Sequence, residues 1–526
     1  MASRIQRTLA VSLACVLPLL PLRVQAADAR IAVATETTSL DPQFHNVGPN
    51  NATSHNVFDT LIAQDERQRL QPALALSWTP IASTQWEIKL RPGMLFSDGT
   101  PFTADDVVFS LERASKVPNS PSSFAMYAKS IRRSEAIDPL TVRIETGGPA
   151  PLLPNDLSAL SIVSRHAASG RTTADFNGTT AAIGTGPYRY LSWDRGSRLL
   201  LARNDRYWGR RPDWDHVTIR PISNGAARVA ALLSGDVDLI DFVPSDTIVG
   251  LKADSRVNLF STDSNRLIFI LLDSSRDQSP GVLDPAGVPL TPNPLRDRRV
   301  REAISAAINR DALVARLLNG QGTPAGQLLP PGFFGTSGNL TPPKFDPARA
   351  RDLLTKAGYP KDFGLVLVAT NDRYPKDVEI AQGIAQMLTR IGIAARVDTM
   401  PASMLFTRGS RLEFSAMVLD WIAASGEVTS PMVALLATYD AAKGFGSSNR
   451  GRYSNPEFDR LLEEGLQTLD ASKRGVVLSQ ATEIAMRDVG LVPLYFLVNT
   501  WATRKGFAYD ARSDEMTTAA GLTPVR

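Results

Sequence analysis

Residues 89–113, KLRPGMLFSDGTPFTADDVVFSLER, contain the clearest local signals in the chain. Asp98 lies in an SDGTP stretch of turn-forming residues. Thr103, followed three residues later by Asp106, matches a capping box at the start of a helix. Asp105 and Asp106 would also face the positive end of the helix dipole. We therefore predict a turn followed by a helix, in which the acidic residues serve structure rather than catalysis.

Residues 1–26, MASRIQRTLAVSLACVLPLLPLRVQA, are typical of a secretory signal peptide. Arg4 and Arg7 precede an apolar stretch at residues 9–22, and small Ala26 ends the segment. The apolar stretch is shorter than the roughly twenty residues needed to cross a bilayer, which disfavours a membrane anchor. We therefore predict cleavage after Ala26 and export of the mature protein.

The composition limits the class of protein. Cys15 is the only cysteine and lies inside the predicted signal, so the mature protein would have neither disulfides nor thiol ligands. Lipid attachment at Cys15 is disfavoured because the apolar segment continues beyond it. The net charge of +4 falls to +1 when the three arginines of the signal are removed, which predicts no nucleic-acid partner. About 500 mature residues exceed what one core organises, so two or three lobes are expected.

Alternating strands and helices predict an α/β architecture. Residues 217–222 and 237–243 have the composition of strands and flank a short helical stretch. Residues 365–369 and 393–397 repeat this arrangement around a second helix. Such βαβ units imply parallel strands. Residues 86–145 instead contain one strand, one helix and two further strands, which predicts a separate α+β lobe.

The motif at residues 89–113 closely resembles the signature of the family 5 extracellular solute-binding proteins. This family includes the dipeptide, oligopeptide and nickel binders of ABC importers. The resemblance covers essentially the whole mature chain in family order. The other matching stretches are TTSLDPQ (37–43), VFDTLI (57–62), LQPALALSW (70–78), GTGPYRY (184–190), RNDRYWG (203–209), LLSGDVDLI (232–240), DRRVREAISAAINRDALV (297–314), FDPARARDLLTKAGYP (345–360), RYSNPEFDRLL (452–462) and VPLYF (492–496).

The resemblance implies a periplasmic-binding-protein-like fold of class II, cluster C, with two α/β lobes joined by a hinge and an extra α+β lobe. Lobe I would comprise residues 27–70, 185–275 and 490–526, lobe II residues 71–184, and lobe III residues 276–489. A monomeric, non-enzymatic receptor without cofactor is expected. It would close on a peptide-like or other small polar solute and deliver it to an ABC permease in the inner membrane.

The candidate ligand-binding residues follow the strands of lobe III. Ligands of open α/β sheets lie outside the carboxyl ends of the strands, and Arg373, Tyr374 and Trp421 are expected at such ends. The resemblance implies that Arg373 binds a ligand carboxylate and that Trp421 lines the pocket, and a guanidinium suits the first role. The family's segment after SLDPQ approaches the ligand, which adds Phe44 and His45.

One position departs from the pattern of the peptide-binding members. They carry an Asp three residues after the tryptophan, where it pairs with the α-amine of the ligand, but this chain has Ala424. A buried ammonium without a counter-ion is costly. Glu427 could supply the charge if its loop folds inward. Otherwise the ligand lacks a cationic amine at this place, as in a sugar-phosphate conjugate, an opine or a blocked peptide.

Two alternative functions remain open at this point. One is an exported hydrolase with paired carboxylates, and the other is a receptor for a metal chelate bound by His45 and His55. The chain contains four histidines and none of the HExxH, GxSxG or GxxxxGK motifs. We therefore expect no resident metal site and no catalytic constellation.

Overall fold

The computed structural model describes residues 27–359 and 363–525, so the predicted signal peptide lies outside the described residues. Within these two ranges, no helix has both the length and the apolar character that a membrane span requires. The strands are β1 (Asp28–Val33), β2 (Ile62–Gln64), β3 (Leu70–Pro72), β4 (Ala75–Ala82), β5 (Gln85–Leu90), β6 (Ile131–Asp138), β7 (Thr141–Thr146), β8 (Tyr188–Asp194), β9 (Arg198–Arg203), β10 (His216–Pro221), β11 (Leu239–Ile240), β12 (Val257–Leu272), β13 (Val282–Leu283), β14 (Gly322–Pro324), β15 (Phe363–Thr370), β16 (Ile393–Met400), β17 (Ala416–Ile422), β18 (Val492–Arg504), β19 (Phe507–Tyr509) and β20 (Leu522–Pro524).

The helices are α1 (Gly48–Ser54), α2 (Ala104–Ala114), α3 (Ala125–Ala128), α4 (Leu153–Ala159), α5 (Arg165–Ala168), α6 (Thr173–Asn177), α7 (Gly225–Ser234), α8 (Ile248–Ala253), α9 (Arg298–Ala307), α10 (Arg310–Leu317), α11 (Pro347–Lys356), α12 (Asp377–Thr389), α13 (Ala402–Ser410), α14 (Thr429–Pro431), α15 (Pro456–Gln467) and α16 (Ala471–Arg487). Short 3-10 turns lie at Pro294–Arg296 and Ala519–Gly521, and a π-helical turn lies at Met432–Leu436.

One large sheet runs through both α/β regions in the order β13-β15-β17-β12-β18-β11-β1-β10-β9-β8, with β16 on β15 and β14 on β18. Its two central strands, β12 and β18, are antiparallel and are 16 and 13 residues long. The other strands on either side belong to different halves of the molecule. The two long strands therefore connect the halves directly.

Strand β12 gains a second neighbouring strand near its middle. Residues 257–263 pair with β18, whereas residues 266–272 also pair with β17, and the register with β18 shifts between Asp263 and Leu267. Such an irregularity bends a strand locally, which suits a hinge. The lobe boundaries predicted at residues 275 and 490 lie near the ends of these strands and stay predictions.

Both predicted βαβ units are present, which confirms the α/β assignment. Helix α7 connects β10 to β11, and β1 lies between these two strands and parallel to both. The helix ends at Gly235, whose φ of 83° is the left-handed conformation that glycine adopts at low cost. Helix α12 connects the parallel strands β15 and β16 in the same way.

Side chains of β12 enter two separate cores, one on each face of the sheet. Successive residues of a strand point to opposite faces, so a strand covered on both sides is apolar throughout. One core contains Ile268, Ile270 and Leu272, and the other contains Leu267, Phe269 and Leu271. The second half of β12 is thus anchored between helical layers.

The predicted α+β lobe is a four-stranded antiparallel sheet in the order β4-β5-β7-β6, against which α2 packs. Helix α2 begins with the predicted capping box. The Asp106 carboxylate accepts a hydrogen bond from the Thr103 amide at 2.9 Å and a second from the Arg165 amide at 2.8 Å. Asp98 accepts from the Thr100 amide at 2.9 Å in the preceding turn. These acids are therefore structural, as predicted.

Candidate ligand-binding site

A small, partly open cavity of about 50 Å³ lies where the three predicted lobes meet. Its walls include His55 from the first lobe, Tyr127 and Ser158 from the second, Ala424 from the third and Arg512 from the C-terminal segment. These residues are far apart in sequence. A solute in the cavity would therefore contact several lobes at once.

Helix α4 of the second lobe touches the loop after β17 across the cleft. The Asn155 side-chain amide donates to the Ser425 carbonyl at 2.9 Å. Gln68 donates to the Ala424 carbonyl at 3.1 Å from the other side. The structure thus has the lobes in contact, and the loop that carries Ala424 is held through its backbone.

His55 is a neutral wall residue of the cavity. Its Nδ1 lies 2.7 Å from the Asn51 carbonyl, which can only accept, so Nδ1 carries the proton and Nε2 is the acceptor. Burial lowers the pKa of His55, and the positive charge of Arg512 lowers it further. Within the described ranges, no three His, Cys, Asp or Glu side chains cluster as metal ligands would.

Arg512 and Asp514 place a neutralised charge pair on the cavity wall. Arg512 Nη2 donates to Asp514 Oδ2 at 2.6 Å and to the Gln64 carbonyl at 3.2 Å. Arg512 Nη1 has no hydrogen-bond partner in the described part of the chain. The pair can therefore still offer a donor to an anionic group.

Arg373 meets the end of β17, as the strand-end argument predicts, because β15 and β17 are parallel neighbours. Its Nε donates to Asp420 Oδ1 at 2.9 Å. Asp420 also accepts from Arg266 at 2.6 Å, and Arg266 pairs with Glu515 at 2.8 Å. This chain of ion pairs runs from β15 to the C-terminal segment. Arg373 thus has a carboxylate partner within the protein, and its contact with a ligand stays a prediction.

The other predicted strand-end residues lie off the cavity wall. Tyr374 packs in the core that contains Ile268, and only 7% of its surface is exposed. Trp421 packs against the core on the opposite face, and its Nε1 is buried without a partner among the described residues. Burial raises the pKa of Tyr374 well above its ordinary value. The roles of Tyr374 and Trp421 as ligand contacts stay predictions.

Phe44 and His45 also lie off the wall. The Nδ1 atom of His45 is 3.0 Å from the Thr38 hydroxyl. The segment after SLDPQ does reach the cavity, but through Asn51 and His55. The approach of this segment to the ligand, through Phe44 and His45, stays a prediction.

Glu427 has a partner inside the protein. Its two carboxylate oxygens accept hydrogen bonds from Arg474 at 2.6 and 2.8 Å, and only 2% of Glu427 is exposed. Arg474 also donates to Thr429 at 2.9 Å. The loop does fold inward, but the charge meets an arginine. This geometry disfavours the prediction that Glu427 replaces the carboxylate missing at Ala424.

Several wall residues carry no local signal in the sequence. Gln64, Ser158 and Arg512 match no motif, and they come together only because three separate segments converge. Tyr127 is equally ordinary in sequence, since most aromatic residues pack in a core. A search of local patterns could not have found them.

Comparison with known proteins identifies the family. The model of the bacterial extracellular solute-binding proteins, family 5 Middle, matches residues 69–443, which is more than half of the chain. The chain belongs to this family. The glutathione-binding protein GsiB of Escherichia coli (strain K12) is 28% identical over 484 residues, which are 89% of each protein.

Solved structures agree with this family 5 assignment. HbpA2 from Haemophilus parasuis superposes with a TM-score of 0.81 at 23% identity, over 95% of this chain and 100% of that one. The periplasmic murein tripeptide-binding protein MppA, in its unliganded open form, gives 0.79 at 22% identity, over 95% and 98%. The predicted periplasmic-binding-protein-like fold is confirmed.

Membership of family 5 makes this protein the solute-binding component of an ABC importer. It captures a peptide-like or other small polar solute between its lobes and works with a membrane permease. The relatives are binding proteins, so the comparisons favour the receptor over the hydrolase.

Proposed function

We propose that the protein is a monomeric periplasmic receptor for a short peptide-like solute with at least one carboxylate, and that it leaves the solute unchanged. The carrying observation is the cavity at the meeting point of the three predicted lobes. A solute there gains its full set of contacts only when the lobes are closed, so binding favours the closed state. Cleavage of the signal after Ala26 would release the receptor into the periplasm, where it meets the permease.

The polarity of the wall supports this class of ligand. Arg512 lines the cavity and keeps Nη1 available, and guanidinium–carboxylate hydrogen bonds are among the stronger ones in proteins. The imidazole of His55 and the hydroxyls of Tyr127 and Ser158 add hydrogen-bonding groups. Arg373 and Trp421 are proposed as further contacts from the strand ends of the third lobe.

Glutathione is the natural first probe, because the relative GsiB is named for binding it. Native mass spectrometry of protein purified from the periplasm should show one small molecule per chain. Titration calorimetry with glutathione and trialanine should yield one-to-one binding for at least one probe or for the recovered molecule.

Mass spectrometry of the mixture after long incubation should recover the probe intact. A chemically altered probe would contradict the receptor, as would a failure of the recovered molecule and all probes to bind. Deletion of the partner permease should abolish uptake while the receptor still binds. Size-exclusion chromatography with light scattering should report a monomer.

A further inference from the structure

Asp215, the residue before β10, holds the backbone of Ala27 at two points. The Ala27 nitrogen donates to Asp215 Oδ2 at 3.0 Å, and the Ala27 carbonyl accepts from the Asp215 amide at 2.6 Å. The next residue, Asp28, begins β1 and lies opposite His216 in the register with β10. The pairing of β1 with β10 therefore starts at the contact between Ala27 and Asp215.

The carboxylate of Asp215 is oriented from its other side by Arg203 of β9. The Arg203 amide donates to the Asp215 carbonyl at 2.9 Å, and Arg203 Nη1 forms an ion pair with Asp215 Oδ1. The two carboxylate oxygens thus have different partners, since Oδ2 accepts from the Ala27 nitrogen. Only 28% of the Asp215 side chain is exposed. The acceptor is therefore in place before any charge arises at Ala27.

Cleavage of the peptide bond between Ala26 and Ala27 would change the chemistry of this nitrogen. Hydrolysis adds one water molecule, leaves a carboxylate on Ala26 and turns the amide nitrogen of Ala27 into an α-ammonium group. An amide has one N–H donor and no net charge, whereas an α-ammonium has three donors and is positively charged at neutral pH. A hydrogen bond between two ions is stronger than one between neutral groups. The existing contact with Asp215 would therefore become an ion pair.

The charges around Ala27 favour the arrival of a cation. Arg203 pairs with Asp205 at 3.0 Å as well as with Asp215, so two carboxylates share one guanidinium. Asp28 lies 3.2 Å from the imidazole of His216. These groups carry more negative than positive charge when His216 is neutral. A positive charge at Ala27 would reduce that imbalance.

The rest of β1 is already fixed by contacts of the same kind. The Ala34 amide, just beyond its far end, donates to Asp241 Oδ1 at 2.7 Å, and Arg30 within the strand pairs with Asp238 at 3.0 Å. The strand lies between β10 and β11 and is parallel to both. Chain ends fray unless they are tied down. A stronger contact at Ala27 would therefore act on the one end of β1 that cleavage leaves free.

We propose that Asp215 is the docking site for the α-ammonium group of the mature N-terminus, so that removal of the signal peptide stabilises the start of β1. This inference rests on the proposed cleavage after Ala26 and goes beyond the receptor function. The precursor has the hydrogen bond between Ala27 and Asp215 without the charge. The exported chain gains the charge, and with it a contact that the precursor lacks.

Hydrogen–deuterium exchange of two chains tests the proposal. One chain begins at Ala27, and the other has the uncharged extension Gly-Ser-Gly-Ser before Ala27, which keeps the amide donor and moves the charge away. Intact mass confirms each N-terminus. The amides of β1 should exchange about twofold faster or more in the extended chain, the size expected for a partly exposed ion pair. The amides of β16, in the other half of the molecule, should exchange alike and serve as the internal reference.

Two aspartate variants locate the effect. In Asp215→Asn the extended and unextended chains should exchange alike, because the carboxylate charge is gone. Asp205→Asn is the matched control, since Asp205 also pairs with Arg203 but makes no hydrogen bond to Ala27 within the described ranges. The difference between the two chains should persist in this control. Salt at about 1 M gives a readout without any variant, because screening should reduce the difference between the two wild-type chains.

Equal exchange of β1 in the two wild-type chains overturns the inference. A difference that survives in Asp215→Asn or in salt, or that disappears in Asp205→Asn, also overturns it. The intact mass of protein purified from the periplasm distinguishes this failure from that of the proposed cleavage. A mature chain that begins at another residue overturns both the cleavage site and the docking of Ala27. A chain that begins at Ala27 but shows equal exchange overturns the docking alone, and calorimetry with solutes tests the receptor separately.

Discussion

Glu427 and Arg474 form a buried ion pair, so the charge of Glu427 is neutralised inside the protein. Glu427→Gln should lower the free energy of unfolding by about 3 kcal/mol or more, because Arg474 is left buried without a counter-charge. Urea unfolding followed by circular dichroism measures the change. The double variant Glu427→Gln/Arg474→Met should recover most of the loss.

A matched exposed pair serves as the control for that experiment. Glu464 pairs with Arg460 at 3.0 Å, and 48% of its side chain is exposed. Glu464→Gln should change the free energy of unfolding by less than about 1 kcal/mol, since exposed ion pairs contribute little. If Glu427→Gln lowered the free energy of unfolding by no more than Glu464→Gln does, the buried ion pair would not stabilise the fold.

His55 should make stability depend on pH. Burial and Arg512 hold its folded-state pKa below the ordinary value of 6.5. The folded state therefore resists protonation, and the stability that neutral His55 contributes is lost as pH falls through 6.5. Melting temperatures between pH 7.5 and 5 should decline less for His55→Gln than for the wild type. The difference between the two proteins removes the contribution of other titrating groups, and parallel curves would contradict the prediction.

Arg373 is the sequence-predicted carboxylate contact that remains to be tested. Arg373→Ala should weaken an anionic ligand by roughly 2 kcal/mol if a charge-assisted hydrogen bond is lost. The structure adds a control, since Arg408 also pairs with an acid, Glu413, and has 40% of its side chain exposed, as Arg373 does. Arg408→Ala should leave affinity unchanged in calorimetry. Unchanged affinity in Arg373→Ala would limit Arg373 to its pairing with Asp420.

Among the elements, helix α2 is the one whose start is most clearly encoded. Thr103→Ala should cost about 1 kcal/mol of stability, because it removes the hydroxyl of the capping box. Thr407 is an exposed threonine in the interior of α13, where alanine is the better helix former, so Thr407→Ala should not destabilise the protein. Urea midpoints of the two variants check the opposite signs. Equal urea midpoints for the two variants would mean that the capping box does not stabilise the protein.

Elements were predictable where their signals are local. The βαβ units around α7 and α12 follow from apolar periodicity and from a glycine at the helix end, and both are present. The sharing of β12 and β18 between two halves of the sheet was not predicted. The apolar pattern of a strand predicts which of its faces are buried, but it does not predict which strands pair with it.

For the whole molecule, the contact between Asn155 and Ser425 offers a way to test closure. The variant Asn155→Cys/Ser425→Cys should form a disulfide that holds the second and third lobes together, because the two residues touch directly. Cys15 is the chain's only cysteine, and it lies in the predicted signal, so no other thiol should compete. Oxidised protein should exchange ligand much more slowly than reduced protein in stopped-flow fluorescence.

The two single-cysteine variants control for the substitutions themselves. Each should exchange ligand at the wild-type rate under both redox conditions. Equal exchange rates for the oxidised and reduced double variant, with the disulfide verified by mass spectrometry, would show that opening at this contact is not required for ligand entry.

The sequence by itself predicted an export signal, and it determined the α/β and α+β regions, the capping box and membership of the solute-binding family. These features depend on residues close together in the chain or on long ordered series of motifs. Only the tertiary structure decided how charges are used at the cleft. Glu427 pairs with Arg474, which is 47 residues further along the chain, and its charge is neutralised inside the protein. The reason is that the free energy of a buried charge depends on its neighbours in space, and those neighbours come from distant segments.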